Sequence, residues 1–290
     1  MYFILSLLSM FFQILPRKLA LAIGRFLGTL IYYLYPLRKS IAVKNLTIVF
    51  PEYDRKKKMA ILRTCYRHYG MVLVDFFRLP KIKLKKDKMV VSIPANNIEL
   101  MKSQPGGIIL TGHMGNWEYI GPMLSIYNIK SAGVALIQKN SQSDRFFNEL
   151  RISDNMKIIS VNCGSQVMIQ LIKDGYYLGL ISDQHAGRRG TEALFFNESV
   201  SVPKGGAAFH LKTNTPILVG FCILCKDLNY KLSFQELDLK GLPNNSNDAI
   251  VEINQRFTNM LEEIVLEHPE QYFWFHRKWN REMYKGIARS

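Results

Sequence analysis

The chain has 290 residues, 48% of them hydrophobic, with 38 Lys and Arg against 23 Asp and Glu and a formal net charge of +15. That length accommodates one large domain with a full core. The ordinary apolar fraction excludes a multi-span membrane protein, and the charge points to an anionic partner: nucleic acid, an acidic protein or a phosphate-bearing membrane surface. No RRM, helix-turn-helix or zinc-finger pattern accompanies it, which sets nucleic acid aside. Cys65, Cys163, Cys222 and Cys225 form no disulfide framework. Cys222-x-x-Cys225 lies in an apolar run with no second pair at zinc spacing, so reduced thiols and no metal are expected.

Residues 2–15 and 19–37 are apolar runs, separated by Pro16-Arg17-Lys18 and closed by Pro36 and Arg38-Lys39. The first falls short of the roughly 20 residues of a spanning helix and lacks the start and cleavage site of a signal peptide. The second holds Arg25, whose cation can snorkel from a helix lying in a membrane interface. The expectation is a membrane-anchoring segment over residues 1–38, spanning or lying flat, ahead of a domain over 39–290. Two buried core helices are the alternative. The flanking Arg17, Lys18, Arg38, Lys39 and Lys44 suit the anionic cytoplasmic leaflet.

Residues 54–78 have the spacing of an amphipathic helix capped by Asp54, with His68 a structural residue inside it. Residues 81–88, KIKLKKDK, are a basic cluster, either solvated or set against phosphate. Strands are predicted at 90–93, 108–111, 132–137, 177–182 and 216–222, with an edge strand at 230–237; helices are predicted at 167–174 and 248–268. Their alternation gives an α/β fold, a mixed, mostly parallel sheet flanked by helices.

The organising stretch is residues 108–121, IILTGHMGNWEYIG. A β-branched run ends at Gly112, His113 follows at the strand exit, and Asn116 is placed to cap a helix that begins at Trp117. His113 and Glu118 would sit roughly 140° apart on one helix, but a strand–turn–helix corner can bring them together. A carboxylate beside an imidazole fixes its tautomer and leaves the other nitrogen as a general base. With no evident Ser or Cys nucleophile beside the pair, it suits deprotonation of a substrate hydroxyl and direct acyl transfer. Spacing alone equally allows a turn histidine bonded to backbone.

HMGNWE is very similar to the H-x-G-N-W-E block of the bacterial lipid A late acyltransferases, a variant of the H-x4-D box of the wider glycerolipid acyltransferases. Further blocks follow in that family's order: residues 134–140 with Asn140 and Asp144, Asp183-Gln184 with the loop to Gly190, and PEQYFWFHRKW at 269–279. The resemblance implies a glycerolipid-acyltransferase-like fold behind a membrane-associated N-terminal helix. It implies a transferase moving a fatty acyl chain from acyl-acyl carrier protein to a hydroxyl of an anionic glycolipid, a lipid A precursor, at the cytoplasmic face of the inner membrane, without metal or bound cofactor. His113 is then the base and Glu118 orients it. Asn116, Asp183, Arg189, Lys139 and Arg151 are substrate-binding candidates. The family's arginine falls on Leu136, so either a nearby cation, Lys139, Arg145 or Arg151, covers its role or activity is altered. The terminal aromatic–basic block suits a membrane interface, or alternatively an aromatic cap on the core with an exposed charge. Two alternatives stay open: acylation of another lipid, and a catalytically weak membrane protein that binds anionic lipid.

Overall fold

The structure, a computed structural model, describes residues 1–83 and 91–287. Helices α1 (Tyr2–Ile14), α2 (Arg17–Leu34), α3 (Lys39–Val49), α4 (Arg55–Phe77) and α5 (Leu79–Lys83) come first. Strands and helices then alternate: β1 (Val91–Ser92), α6 (Ala95–Ser103), β2 (Gly107–Thr111), α7 (Ile120–Ile126), β3 (Ser131–Ala135), α8 (Ser141–Arg151), β4 (Met156–Ser160), α9 (Ser165–Lys173) and β5 (Tyr177–Ile181). A hairpin of β6 (Thr191–Phe195) and β7 (Glu198–Val202) precedes α10 (Gly205–Thr213), β8 (Ile217–Leu224), β9 (Tyr230–Glu236) and α11 (Ser246–Glu267). Of the basic cluster at 81–88, residues 84–88 lie outside the described residues, as does Val90.

The main sheet runs β1-β9-β8-β2-β5-β3-β4 and is parallel at every pairing except β8–β9. The expected α/β architecture is therefore present. β2 lies at its centre with all five residues buried, which is why it reads as an unbroken apolar run rather than an alternating one. One expectation is corrected: β9 is not the edge strand, because two residues of β1 pair along its outer side. Too short to carry a hydrophobic period, β1 could not announce that it covers β9.

Asp54 caps α4 as its position predicts, accepting from the Lys57 amide at 2.7 Å. The inner faces of α1 and α2 belong to the core. Phe12 and Ala20 share an apolar cluster with Ile109 and Leu218 of the sheet. A Cβ on Gly24 would stand 2.5 Å from the Gly70 carbonyl oxygen, and one on Gly28 2.2 Å from that of Tyr66, so only glycine lets α2 lie this close to α4. Arg78 donates to the carbonyls of Phe12 and Leu15 at the end of α1. Arg17 forks onto both carboxylate oxygens of the buried Asp75, at 3.1 and 2.8 Å. The outer faces carry exposed Phe3, Leu7, Phe11, Phe26, Leu30 and Leu34.

The C-terminal aromatic block takes the second of its two expected places, a cap on the core rather than a membrane interface. Tyr272, Trp274 and Trp279 are buried, and the Trp274 indole N–H donates to the Pro269 carbonyl. With its polar handle satisfied internally, this indole packs as a core residue.

Candidate active site

The register of two neighbouring parallel strands builds the site. β2 and β5 pair residue for residue from Gly107–Tyr177 to Thr111–Ile181. The Ser182 amide continues the ladder by donating to the Thr111 carbonyl at 2.8 Å. One further step along each chain places His113 beside Asp183, beyond the carboxyl ends of the strands, where open α/β sheets hold their ligands. His113 Nδ1 lies 2.7 Å from Asp183 Oδ1. Gly112 makes room: a Cβ there would approach Leu261 Cδ1 to 3.0 Å and Asp183 Cβ to 3.3 Å.

Asp183 is 3% exposed. Burial alone would raise its carboxyl, but the His113 imidazole and the Lys278 ammonium outweigh it and hold it down at about 2. Lys278, itself buried, donates to the Asp183 carbonyl, and burial pulls its ammonium down to about 8 against the attraction of Asp183 and Glu262. An ionised Asp183 accepts the Nδ1–H, which leaves the lone pair on His113 Nε2. Gln184 Nε2 lies 3.2 Å from that nitrogen. The Trp117 ring stands edge-on to the imidazole with centroids 4.8 Å apart.

The backbone of this corner is pinned from below. The His113 carbonyl accepts from the Phe273 amide at 2.9 Å and lies 2.9 Å from the Tyr69 hydroxyl, which is also 2.8 Å from the Gln271 carbonyl. Gly115 adopts φ +59°, and a Cβ on it would fall 2.0 Å from the Cys222 carbonyl oxygen. Its own carbonyl faces the buried His68 Nε2 at 3.3 Å, and burial pushes that imidazole down to about 4. His68 is thus a support beneath the site.

Glu118 sits elsewhere than expected. Both of its oxygens are taken by Arg151 of α8, with Nε and Nη2 each at 2.7 Å; the carboxylate against His113 is Asp183. The corner after β2 continues into a short 3-10 turn, Trp117–Tyr119, which carries Glu118 toward α8. Sequence reasoning missed the His113–Asp183 contact because it spans 70 positions. The available signal was two apolar strands each followed by a polar residue two places past its last residue.

His113, Glu118, Arg151 and Gln184 all line one cavity of about 780 Å³. Most of its wall is hydrocarbon: Ile109, Ile120, Leu124, Val134, Ile158 and Phe209, with Gly133 and Gly179 leaving room. Volume and lining suit a largely apolar ligand with a few polar anchors. Leu136, where the resemblance expects arginine, is exposed at the rim. Of the three nearby cations only Arg151 lines the cavity; Lys139 and Arg145 are exposed and outside it. Arg189 is likewise exposed and outside. Asn116 is fully buried, lines no part of the cavity and makes no cap hydrogen bond.

Comparison with known proteins gives the family. A family profile described as bacterial lipid A biosynthesis acyltransferase matches residues 1–281. The chain is 24% identical over 277 residues to the lipid A biosynthesis palmitoleoyltransferase of Escherichia coli (strain K12), covering 91% of this chain and 86% of that protein. The same figures hold for a lipid A biosynthesis acyltransferase of Shigella flexneri.

Proposed function

Because the chain belongs to the bacterial lipid A biosynthesis acyltransferase family, and is an acyltransferase, we propose that it moves a fatty acyl chain from acyl-acyl carrier protein to a hydroxyl of a lipid A precursor, with His113 as general base. The observation that carries this is the His113–Asp183 pair at the wall of an apolar cavity. His113 Nε2 takes the proton of the acceptor hydroxyl, and the oxygen attacks the thioester carbonyl. The tetrahedral intermediate collapses with cleavage of the C–S bond, and the imidazolium returns its proton to the departing thiolate. Asp183 stabilises the imidazolium between these steps. The step balances with two substrates and one imidazole, so it calls for no resident metal or cofactor. No serine or cysteine side chain hydrogen-bonds to His113 among the described residues, and burial raises the thiols of Cys65 and Cys222, which supports direct transfer over an acyl-enzyme. In this reading Arg151 is the cation that covers for Leu136, and its pairing with Glu118 fixes the cavity wall beside the base. The surplus of basic residues steers the acidic carrier protein toward the site.

The membrane seat of this activity, on the cytoplasmic face of the inner membrane, is the outer surface of residues 1–38. No single helix among the described residues is long and apolar enough to cross a bilayer; α2 and α3 together would be, but the chain bends by 96° between them. α2 keeps one face on α4 and presents Phe26, Leu30 and Leu34 outward. Such a helix inserts sideways into one leaflet.

Purified protein, acyl-acyl carrier protein and a hydroxyl-bearing lipid A precursor test the reading by mass spectrometry. The acceptor gains the mass of one acyl chain, and His113→Ala abolishes the gain. Turnover unchanged in His113→Ala overturns the base assignment, and transfer confined to another lipid overturns the acceptor.

A further inference from the structure

Behind the loop that follows β5 lies a second cavity, of about 930 Å³. It shares His185 and Ala186 with the apolar cavity, so the two meet one residue beyond Gln184. Its lining is the more polar of the two: Arg188, Arg281, His185, Ser199 and Asn280 line the second cavity, with Glu192 its one acidic residue.

Both arginines stand on well-tied backbone. The Ala186 amide donates to the Ser201 carbonyl at 3.0 Å, and the Ser201 hydroxyl donates back to the Gly187 carbonyl at 2.7 Å. These bonds hold the loop carrying Arg188 to β7. Arg281 opens a short 3-10 turn, Arg281–Tyr284. The Tyr284 hydroxyl anchors that turn by accepting from the Lys278 amide at 3.0 Å and donating to Asn45 Oδ1 at 2.7 Å. Neither Arg188 nor Arg281 forms an ion pair among the described residues. His185 Nδ1 is buried and makes no hydrogen bond among them.

Uncommitted guanidinium forks across a polar cavity match the geometry of phosphate oxygens, which they bind bidentately. We propose that this cavity is a phosphate subsite of the acyl-transfer reaction, filled while the thioester and hydroxyl meet at His113; the assignment rests on the acyltransferase reading above. Two substrates can bring the phosphate: a phosphorylated lipid acceptor, or the phosphodiester of the carrier protein's pantetheine arm.

The test is the double variant R188Q/R281Q. Both side chains are exposed, so its thermal midpoint should match that of the parent chain. R189Q, at the neighbouring arginine outside both cavities, is the control. Paired acceptors with and without phosphate are assayed with acyl-acyl carrier protein and with a phosphate-free acyl thioester. Loss of one to two charge-assisted contacts corresponds to roughly 10- to 100-fold in affinity. If the acceptor supplies the phosphate, KM for the phosphorylated acceptor rises by about that factor and the preference over its dephosphorylated form disappears. If the donor supplies it, KM for acyl-acyl carrier protein rises while the phosphate-free thioester is unaffected. Equal KM values for every substrate in the parent chain and the double variant overturn the subsite. Titration of both proteins with inorganic phosphate by calorimetry separates this from a failure of the acyltransferase reading: binding lost in R188Q/R281Q upholds the subsite even where no transfer occurs, and equal or absent binding in both rejects it.

Discussion

Arg151 places Nε and Nη2 each 2.7 Å from the carboxylate oxygens of Glu118, so the glutamate of the H-x4-E stretch is spoken for by α8. His113 is served instead by Asp183. The two carboxylates therefore fail differently when neutralised. Asp183→Asn removes the charge that fixes the Nδ1–H tautomer and stabilises the imidazolium, and kcat should fall by on the order of 10²–10⁴. Glu118→Gln keeps one acceptor for Arg151 and should cost on the order of tenfold. Steady-state kinetics of the two variants decide; a Glu118→Gln loss as deep as that of Asp183→Asn would return the orienting role to Glu118.

Acid should loosen the corner from beneath. The His68 imidazole titrates at about 4 in the folded chain because burial disfavours its charge, against an ordinary value of 6.5. A folded pKa below the unfolded one means that the unfolded chain binds more protons in that window. Stability is therefore full above pH 6.5 and declines as the pH falls toward 4, by about 2 kcal/mol between pH 7 and pH 5 from this group. Asp183, held at about 2 against an ordinary 3.8, adds a loss of the same sign only below pH 4. His68→Gln keeps a donor for the Gly115 carbonyl without a titrating group. Urea midpoints at pH 7 and pH 5 should lie closer together in this variant than in the parent chain; equal spacing would rule out His68 as the source.

Two glycines of the same corner separate folding from function. Gly115→Ala combines a left-handed backbone with a methyl 2.0 Å from the Cys222 carbonyl oxygen. Strain of about 1–3 kcal/mol and an unyielding backbone contact should lower Tm sharply. Gly112→Ala meets only the flexible end of Leu261 at 3.0 Å and Asp183 Cβ at 3.3 Å. Stability should change by about 1 kcal/mol or less, while displacement of Asp183 lowers kcat by on the order of 10-fold or more. Calorimetry and kinetics on both variants check the contrast.

Local chemistry was legible in the sequence; pairing across the sheet was not. The buried run of β2, the Asp54 cap and the long periodic helices follow from patterns within about twenty residues, and they gave the α/β class. The resemblance of HMGNWE brought out His113. The partner of His113 depends on β5 lying beside β2 in a register that sequence distance hides. Arg151 reaches Glu118 only because α8 packs beside the turn after β2. The terminal tryptophans read either way because their composition suits a membrane edge as well as a core, and only Phe195, Tyr272 and Phe50 packed around them decide the matter.

The cavity wall predicts where chain length is set. Gly133 of β3 and Gly179 of β5 pair across the sheet and both line the apolar cavity, leaving two adjacent positions without side chains. A Cβ on Gly133 would meet Ile158 Cδ1 at 3.2 Å and Met156 Cε at 3.7 Å, contacts that side chains can relieve by a small shift. Gly133→Val keeps a residue at home in a strand and adds three carbons to the wall. With the acyl chain seated here, each methylene that no longer fits forfeits about 0.8 kcal/mol of burial. Competition between acyl-acyl carrier proteins of different length should shift toward the shorter donor by several-fold per excluded methylene, with total activity on the short donor retained. An unchanged donor ratio in a folded Gly133→Val variant would place the acyl chain elsewhere.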